Sequence, residues 1–140
     1  MAKVKVSKPK PIKSRNGGTM TEAAFWGKLR SMFRRGFQWW VPIRLALEKA
    51  SRPSQSANKR LKKEYLCAMC TQWFPRKHIE VDHIVPCGRL LSYEDIGPFV
   101  ERLACEDVDS YQVVCKPCHH WKTAQEKQKV VNKSYELFPH

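Results

Sequence analysis

Two short cysteine pairs constrain this chain more than any other feature of its sequence. Cys67-x-x-Cys70 and Cys115-x-x-Cys118 are separated by 44 residues. A C-x-x-C knuckle turns tightly enough to offer two sulfurs to one ion. Two knuckles complete a tetrahedral four-thiolate zinc site, with Zn–S bonds of about 2.3 Å. Such a site clamps distant segments together and contributes folding free energy directly. Cys87 and Cys105 lack that spacing and read as small buried hydrophobes. Paired knuckles belong to a reducing compartment rather than to a secreted disulfide framework.

A chain of 140 residues forms one compact domain, with room for a helical extension. No run of 18 apolar residues is present and the first twenty residues lack an apolar signal core, so an intracellular protein with no membrane partner is expected. The net charge is +13, the electrostatic footprint of a nucleic-acid binder. That charge is lopsided. Residues 1–66 hold 17 basic and three acidic side chains, whereas residues 67–140 hold nine and ten. The first half attracts a polyanion, and the second half has another task.

The pattern divides the chain into a flexible basic arm (1–20), a basic helical region (21–66), a knuckle-bearing region (67–132) and a tail (133–140). Pro9, Pro11 and Gly17-Gly18 forbid a regular helix in the arm. Thr21 is placed to cap a helix whose Phe25, Leu29, Met32 and Phe33 share one face and whose Lys28, Arg30, Arg34 and Arg35 share another. Gly36 ends it. A helix is expected again from Ile43 to Ala50, then a linker over 51–56 and a short helix over 59–66 exposing Arg60, Lys62 and Lys63. The arginines are better DNA contacts than the aromatic residues, which read as core.

Beyond Cys67 the elements shorten. Trp73–Pro75 and His78–Ile84 read as strands. Ser92 and Asp95 have capping-box spacing, opening a helix that Gly97-Pro98 interrupts in its first turn. Tyr111–Val114 reads as a strand, and His119 to about 131 as a final helix carrying Lys122. Asp82 adjoins His83, and His119 directly follows the last cysteine. Four thiolates close a zinc site, so these histidines are available for a second ion or for proton transfer. Neighbours on a regular strand face opposite sides, so Asp82 and His83 serve one site only where the strand ends, twists or bulges. In isolation each also reads as an ordinary core, turn or helix-start residue.

The order Cys67-x-x-Cys70, then Val81-Asp82-His83-Ile84-Val85-Pro86, then Cys115-Lys116-Pro117-Cys118-His119 with Lys122-Thr123 resembles the HNH endonucleases. The likeness covers 67–123, and the basic helical part before it is similar to small stand-alone HNH proteins of tailed bacteriophages. The resemblance implies an α+β fold, a ββα-metal core with a zinc-binding double knuckle preceded by a basic helical region. It implies a metal-dependent enzyme that hydrolyses phosphodiester bonds of double-stranded DNA to 5′-phosphate and 3′-hydroxyl ends. His83 would be the general base. Asp82 and His119 would hold one divalent cation, Mg²⁺ or else Mn²⁺ or Ni²⁺. Lys122 would contact a phosphate. Ser110 stands where the family has Asn, and a serine cannot supply an amide. A host-cell cytoplasmic protein, monomeric or weakly dimeric, is implied, with a phage terminase as a conceivable partner. The competing reading is a non-catalytic zinc-stabilised DNA-binding module or an accessory factor of phage DNA packaging.

Overall fold

The computed structural model describes residues 7–137, of which 131, 132 and 134–137 by backbone alone. In chain order its elements are β1 (Lys13–Arg15), β2 (Met20–Thr21), α1 (Glu22–Gly36), α2 (Val41–Lys49), β3 (Ser51–Pro53), β4 (Lys63–Leu66), β5 (Trp73–Phe74), β6 (Ile79–His83), α3 (Ile96–Leu103), β7 (Tyr111–Cys115) and α4 (Lys116–Leu137). Short strands and separate helices make this an α+β chain. Two compact units result, one from the residues through Gln38 with Cys87–Leu103, the other from Trp39–Pro86 with Ala104 onward. Among the described residues no helix is long and apolar enough to cross a membrane.

The first unit is built on α1. Thr21 caps the helix as expected, its hydroxyl accepting from the Ala24 N–H at 3.1 Å. Trp26 is buried from the inner face with Cys87, Leu90, Phe99 and Leu103, and Phe25, Leu29 and Phe33 pack around them. Residues 87–103 belong to this unit because Cys87, Leu90, Phe99 and Leu103 are buried with Trp26. Part of the expected flexible arm is instead a hairpin, β1 pairing antiparallel with β2. Asn16, Gly17 and Gly18 all take positive φ in its turn, a conformation that glycine adopts without steric cost. Residues 1–6 of that arm lie outside the described residues. Asp95 accepts from the Leu91 and Ser92 N–H groups, completing the predicted capping box. Pro98 does not interrupt α3, because a first-turn residue needs no N–H donor.

Arg15 becomes structural here rather than a free cation of the arm. Its guanidinium bonds both Glu22 oxygens at 2.7 and 2.8 Å and the Tyr93 hydroxyl at 3.0 Å, and it lies 4.3 Å from the Phe25 ring centre. The bond from Arg15, then that from Trp26, holds the Glu22 carboxyl down at about 2. A depressed carboxyl stabilises the fold above its unfolded pKa, and this contribution is lost as pH falls through the folded one. Melting temperature should therefore drop between about pH 4.5 and 2 in wild type, with less drop in Glu22→Gln. The side chain is half exposed, so added salt should shrink the difference.

The second unit departs from expectation over 51–66. Neither the linker nor the short helix forms; β3 pairs antiparallel with β4, Ser51 opposite Tyr65, Arg52 opposite Glu64 and Pro53 opposite Lys63. β5 adds to β4 on the other side, which leaves Pro53 on an edge strand where its missing N–H costs no ladder bond. Strand pairing overrides the weak helix propensity of Lys59–Leu66. β6 pairs with β7 from Ile79 opposite Cys115 to His83 opposite Tyr111. The chain then enters α4 directly, three residues earlier than the sequence suggests. Pro117 stands in the first turn of α4, a position that needs no donor. The carbonyl of Cys105 accepts from Trp40 Nε1 and the Tyr111 hydroxyl. Cys105 is half-buried, whereas Cys87 is buried as expected.

Candidate metal centres

The four knuckle cysteines come together. Their sulfurs lie within 4.8 Å of one another, and Cys70 Sγ is 3.9 Å from Cys115 Sγ. A zinc ion with four Zn–S bonds of about 2.3 Å at tetrahedral angles separates its sulfurs by about 3.8 Å. Zinc therefore fits. Strand β4 delivers Cys67, β7 ends at Cys115, and Cys118 lies in the first turn of α4. Thr71 at φ 59° closes the first knuckle, and the Ala68 N–H bonds the Val113 carbonyl at 2.8 Å, tying that knuckle to β7.

The electrostatics of the cluster call for a dication. Burial alone would push the Cys67 thiol up. Backbone N–H groups of Cys70, Cys115 and Met69 outweigh burial and hold it at about 6. Cys118 is pushed up to about 12, first by the Cys115 sulfur and then by burial and the other sulfurs. Cys70 has a lowering bond from the Gln72 N–H, but burial and its neighbouring sulfurs raise it overall. One thiolate is cheap and four are not, unless a positive ion sits among them. Stripping the metal with a strong chelator should lower the melting temperature, and Cys118→Ser should leave less than one zinc per chain by elemental analysis. A wild-type chain that melts unchanged after full metal removal would contradict this assignment.

A second constellation stands on β6 and α4. Glu80 and Asp82, two residues apart, share one face of the strand. His119 Nδ1 pairs with Glu80 Oε2, and His119 Nε2 lies 3.6 Å from Asp82 Oδ1. An ionised carboxylate only accepts, so Nδ1 carries a proton toward Glu80, while Nε2 is the ring nitrogen facing Asp82. One ion about 2.1 Å from each can be shared across 3.6 Å. The other Asp82 oxygen accepts from Lys122 Nζ at 2.6 Å and from Gln112 Nε2 at 3.3 Å. Lys122 also reaches Glu126 at 2.8 Å and the His83 carbonyl at 2.9 Å. Burial lowers the Lys122 pKa, but Asp82 and Glu126 outweigh it and raise it, so it is an ammonium at neutral pH. Lys122 thus serves two carboxylates, Asp82 and Glu126, while Glu80 is taken by His119.

The sequence-predicted residues are not all gathered here. Asp82 and His119 are. Lys122 is turned inward onto Asp82. The His83 ring, at the last pair of β6, tilts against the Tyr111 ring at 4.8 Å between centres. The ladder reaches His83 without a bulge, and its ring stays beside its cross-strand partner Tyr111, so regular alternation does not bring it onto the Asp82 face. Ser110 donates its hydroxyl to Asp107 at 3.4 Å, while its carbonyl accepts from the Ile84 N–H at 3.0 Å. It fastens the chain beyond β6 through its backbone, not through an amide side chain. His78 and His120 are exposed. On α1, Lys28, Arg34 and Arg35 are exposed, but Arg30 is half-buried and donates to the Leu90 carbonyl at 3.3 Å. Arg60, Lys62 and Lys63 are exposed on the β3–β4 hairpin.

Glu80 was missed by sequence reasoning, although its spacing of two from Asp82 on a strand was the signal for it. A carboxylate on the far nitrogen of a ligating histidine fixes the ring and its tautomer. Glu80→Gln should weaken Mn²⁺ binding by about 10–100-fold, read by isothermal titration with the zinc content unchanged. Unaltered Mn²⁺ affinity would refute that role. Compared with models of protein families, with curated proteins and with solved structures, the chain finds no match.

Proposed function

We propose that this chain is a zinc-stabilised DNA-binding protein whose β6–β7–α4 unit is a ββα-metal nuclease centre. The observation that carries the reading is the approach of His119 Nε2 to Asp82 Oδ1 at 3.6 Å, backed by Glu80 on the other ring nitrogen. A pair of ligands leaves coordination positions for water and a phosphodiester. Asp82 and His119 would hold a divalent ion, which would supply stabilisation of the charge developing on the phosphoryl and 3′ oxygens. His83 is the residue assigned to take a proton from the attacking water, a task worth about 10²–10⁴-fold when the base is well placed. Lys122 holds the second Asp82 oxygen, which leaves the first directed at His119.

The non-catalytic module needs fewer assumptions, since the cysteine cluster and the basic surfaces support it alone. Two further observations favour it. Ser110 stands where the resemblance calls for Asn, and Lys122 already neutralises Asp82. Supercoiled plasmid incubated with Mg²⁺, Mn²⁺ or Ni²⁺ separates the readings. Wild type should nick it, while Asp82→Asn and His83→Ala, with zinc retained, should lose about 10²-fold or more in rate. A wild type that binds DNA but is inert with each ion supports the binding module, and undiminished cutting by Asp82→Asn excludes this site.

A further inference from the structure

The β3–β4 hairpin is a second surface with a chemistry of its own. Its sequence, Ser51–Leu66, carries five basic residues and one acid, Glu64. That acid is already engaged, since Arg52 reaches Glu64 Oε2 at 3.1 Å across the ladder and Ser54 reaches the other oxygen at 3.3 Å. Arg52 also lies 3.8 Å from the ring centre of Trp73. Lys59, Arg60, Lys62 and Lys63 are left exposed, and among the described residues none of the four forms an ion pair. Elsewhere in the same unit Arg44, Lys49 and Lys122 are matched to acids. Four unmatched cations within five residues repel one another, so the segment gains by meeting a polyanion.

The segment is also held in shape. The Ser54 hydroxyl accepts from the Ser56 N–H, the Ser56 hydroxyl from the Asn58 N–H, and the Asn58 side chain from the Arg60 N–H. The Leu61 N–H bonds the Asn58 carbonyl, and the Ser54 N–H bonds the Lys62 carbonyl. These local turns lower the entropy cost of ordering the tip on binding. At its base, β4 runs straight into Cys67, so the zinc cluster fixes where the ribbon leaves the unit.

We infer that this hairpin is a β-ribbon that enters the major groove of duplex DNA, with Lys59, Arg60, Lys62 and Lys63 on the flanking phosphates. The inference rests on the DNA-binding part of the proposed function and is independent of cleavage. The B-form major groove, about 12 Å wide, admits a two-stranded ribbon, whereas the A-form RNA major groove is too deep and narrow for it.

The test is a salt titration of full-length, zinc-loaded protein on a short DNA duplex without added divalent ion, read by fluorescence anisotropy. The comparison is wild type against K59Q/R60Q/K62Q/K63Q. Each phosphate contact contributes about 0.9 to the slope of log K against log salt. The slope should become shallower by about 3.6 if all four meet phosphates, and wild type should prefer DNA over an RNA duplex of equal length. The double variants K59Q/R60Q and K62Q/K63Q carry the test where the fourfold change lowers zinc content, each with about half the effect. An unchanged slope in zinc-replete variants overturns the inference, as does equal or tighter binding of the RNA duplex. Cleavage by wild type with an unchanged slope sinks the ribbon alone. Ribbon-dependent binding without cleavage sinks only the nuclease centre.

Discussion

Four sulfurs within 4.8 Å of one another are the constraint on which the rest of the second unit depends. Ionising all four without a metal is costly, and a zinc ion among them reverses that cost. The ion joins the end of β4 to the end of β7 and the start of α4. Those junctions lie far apart in sequence, and each leads into a segment on which a proposal above rests. β4 carries the basic hairpin on one side of Cys67, and α4 carries His119 one residue beyond Cys118.

A closed zinc site and an open second site differ in kind. The first uses four soft donors and leaves no position for substrate, so its role is architectural. The second is the site proposed above, a carboxylate and an imidazole that would suit a harder ion. His119 is kept out of the first by Glu80, which holds its ring against β6. The same strand supplies Glu80 and Asp82 from one face, so the β6–β7 pairing sets the separation of the two groups that matter.

Much of this was legible in the residues. The knuckles gave the cluster, Thr21 gave the start of α1, the Ser92–Asp95 spacing gave a capping box, and the resemblance to the HNH pattern paired His119 with Asp82. The failures share a cause. Residues 59–66 contain lysines and leucines that suit a helix and 51–56 read as a linker, yet β3 pairs with β4 and β4 with β5, and that pairing decides their conformation. Arg15 and Arg30 read as free cations, but Glu22 and the Leu90 carbonyl engage them through contacts that only the fold creates. Lys122 reads as outward-facing on a polar helix, and only the packing of α4 on β6 shows Asp82 beneath it. The position of the His83 ring against Tyr111 was equally hidden, because it follows from the register of β6 on β7.

A zinc ion that takes four sulfurs leaves His119 beside Asp82. X-ray absorption at the zinc edge of the purified full-length protein tests this most directly. Four sulfur neighbours at about 2.3 Å and no nitrogen shell are expected. Three sulfurs with an imidazole nitrogen at about 2.0 Å would contradict it, because His119 would then belong to the zinc and the second centre would lose its ligand.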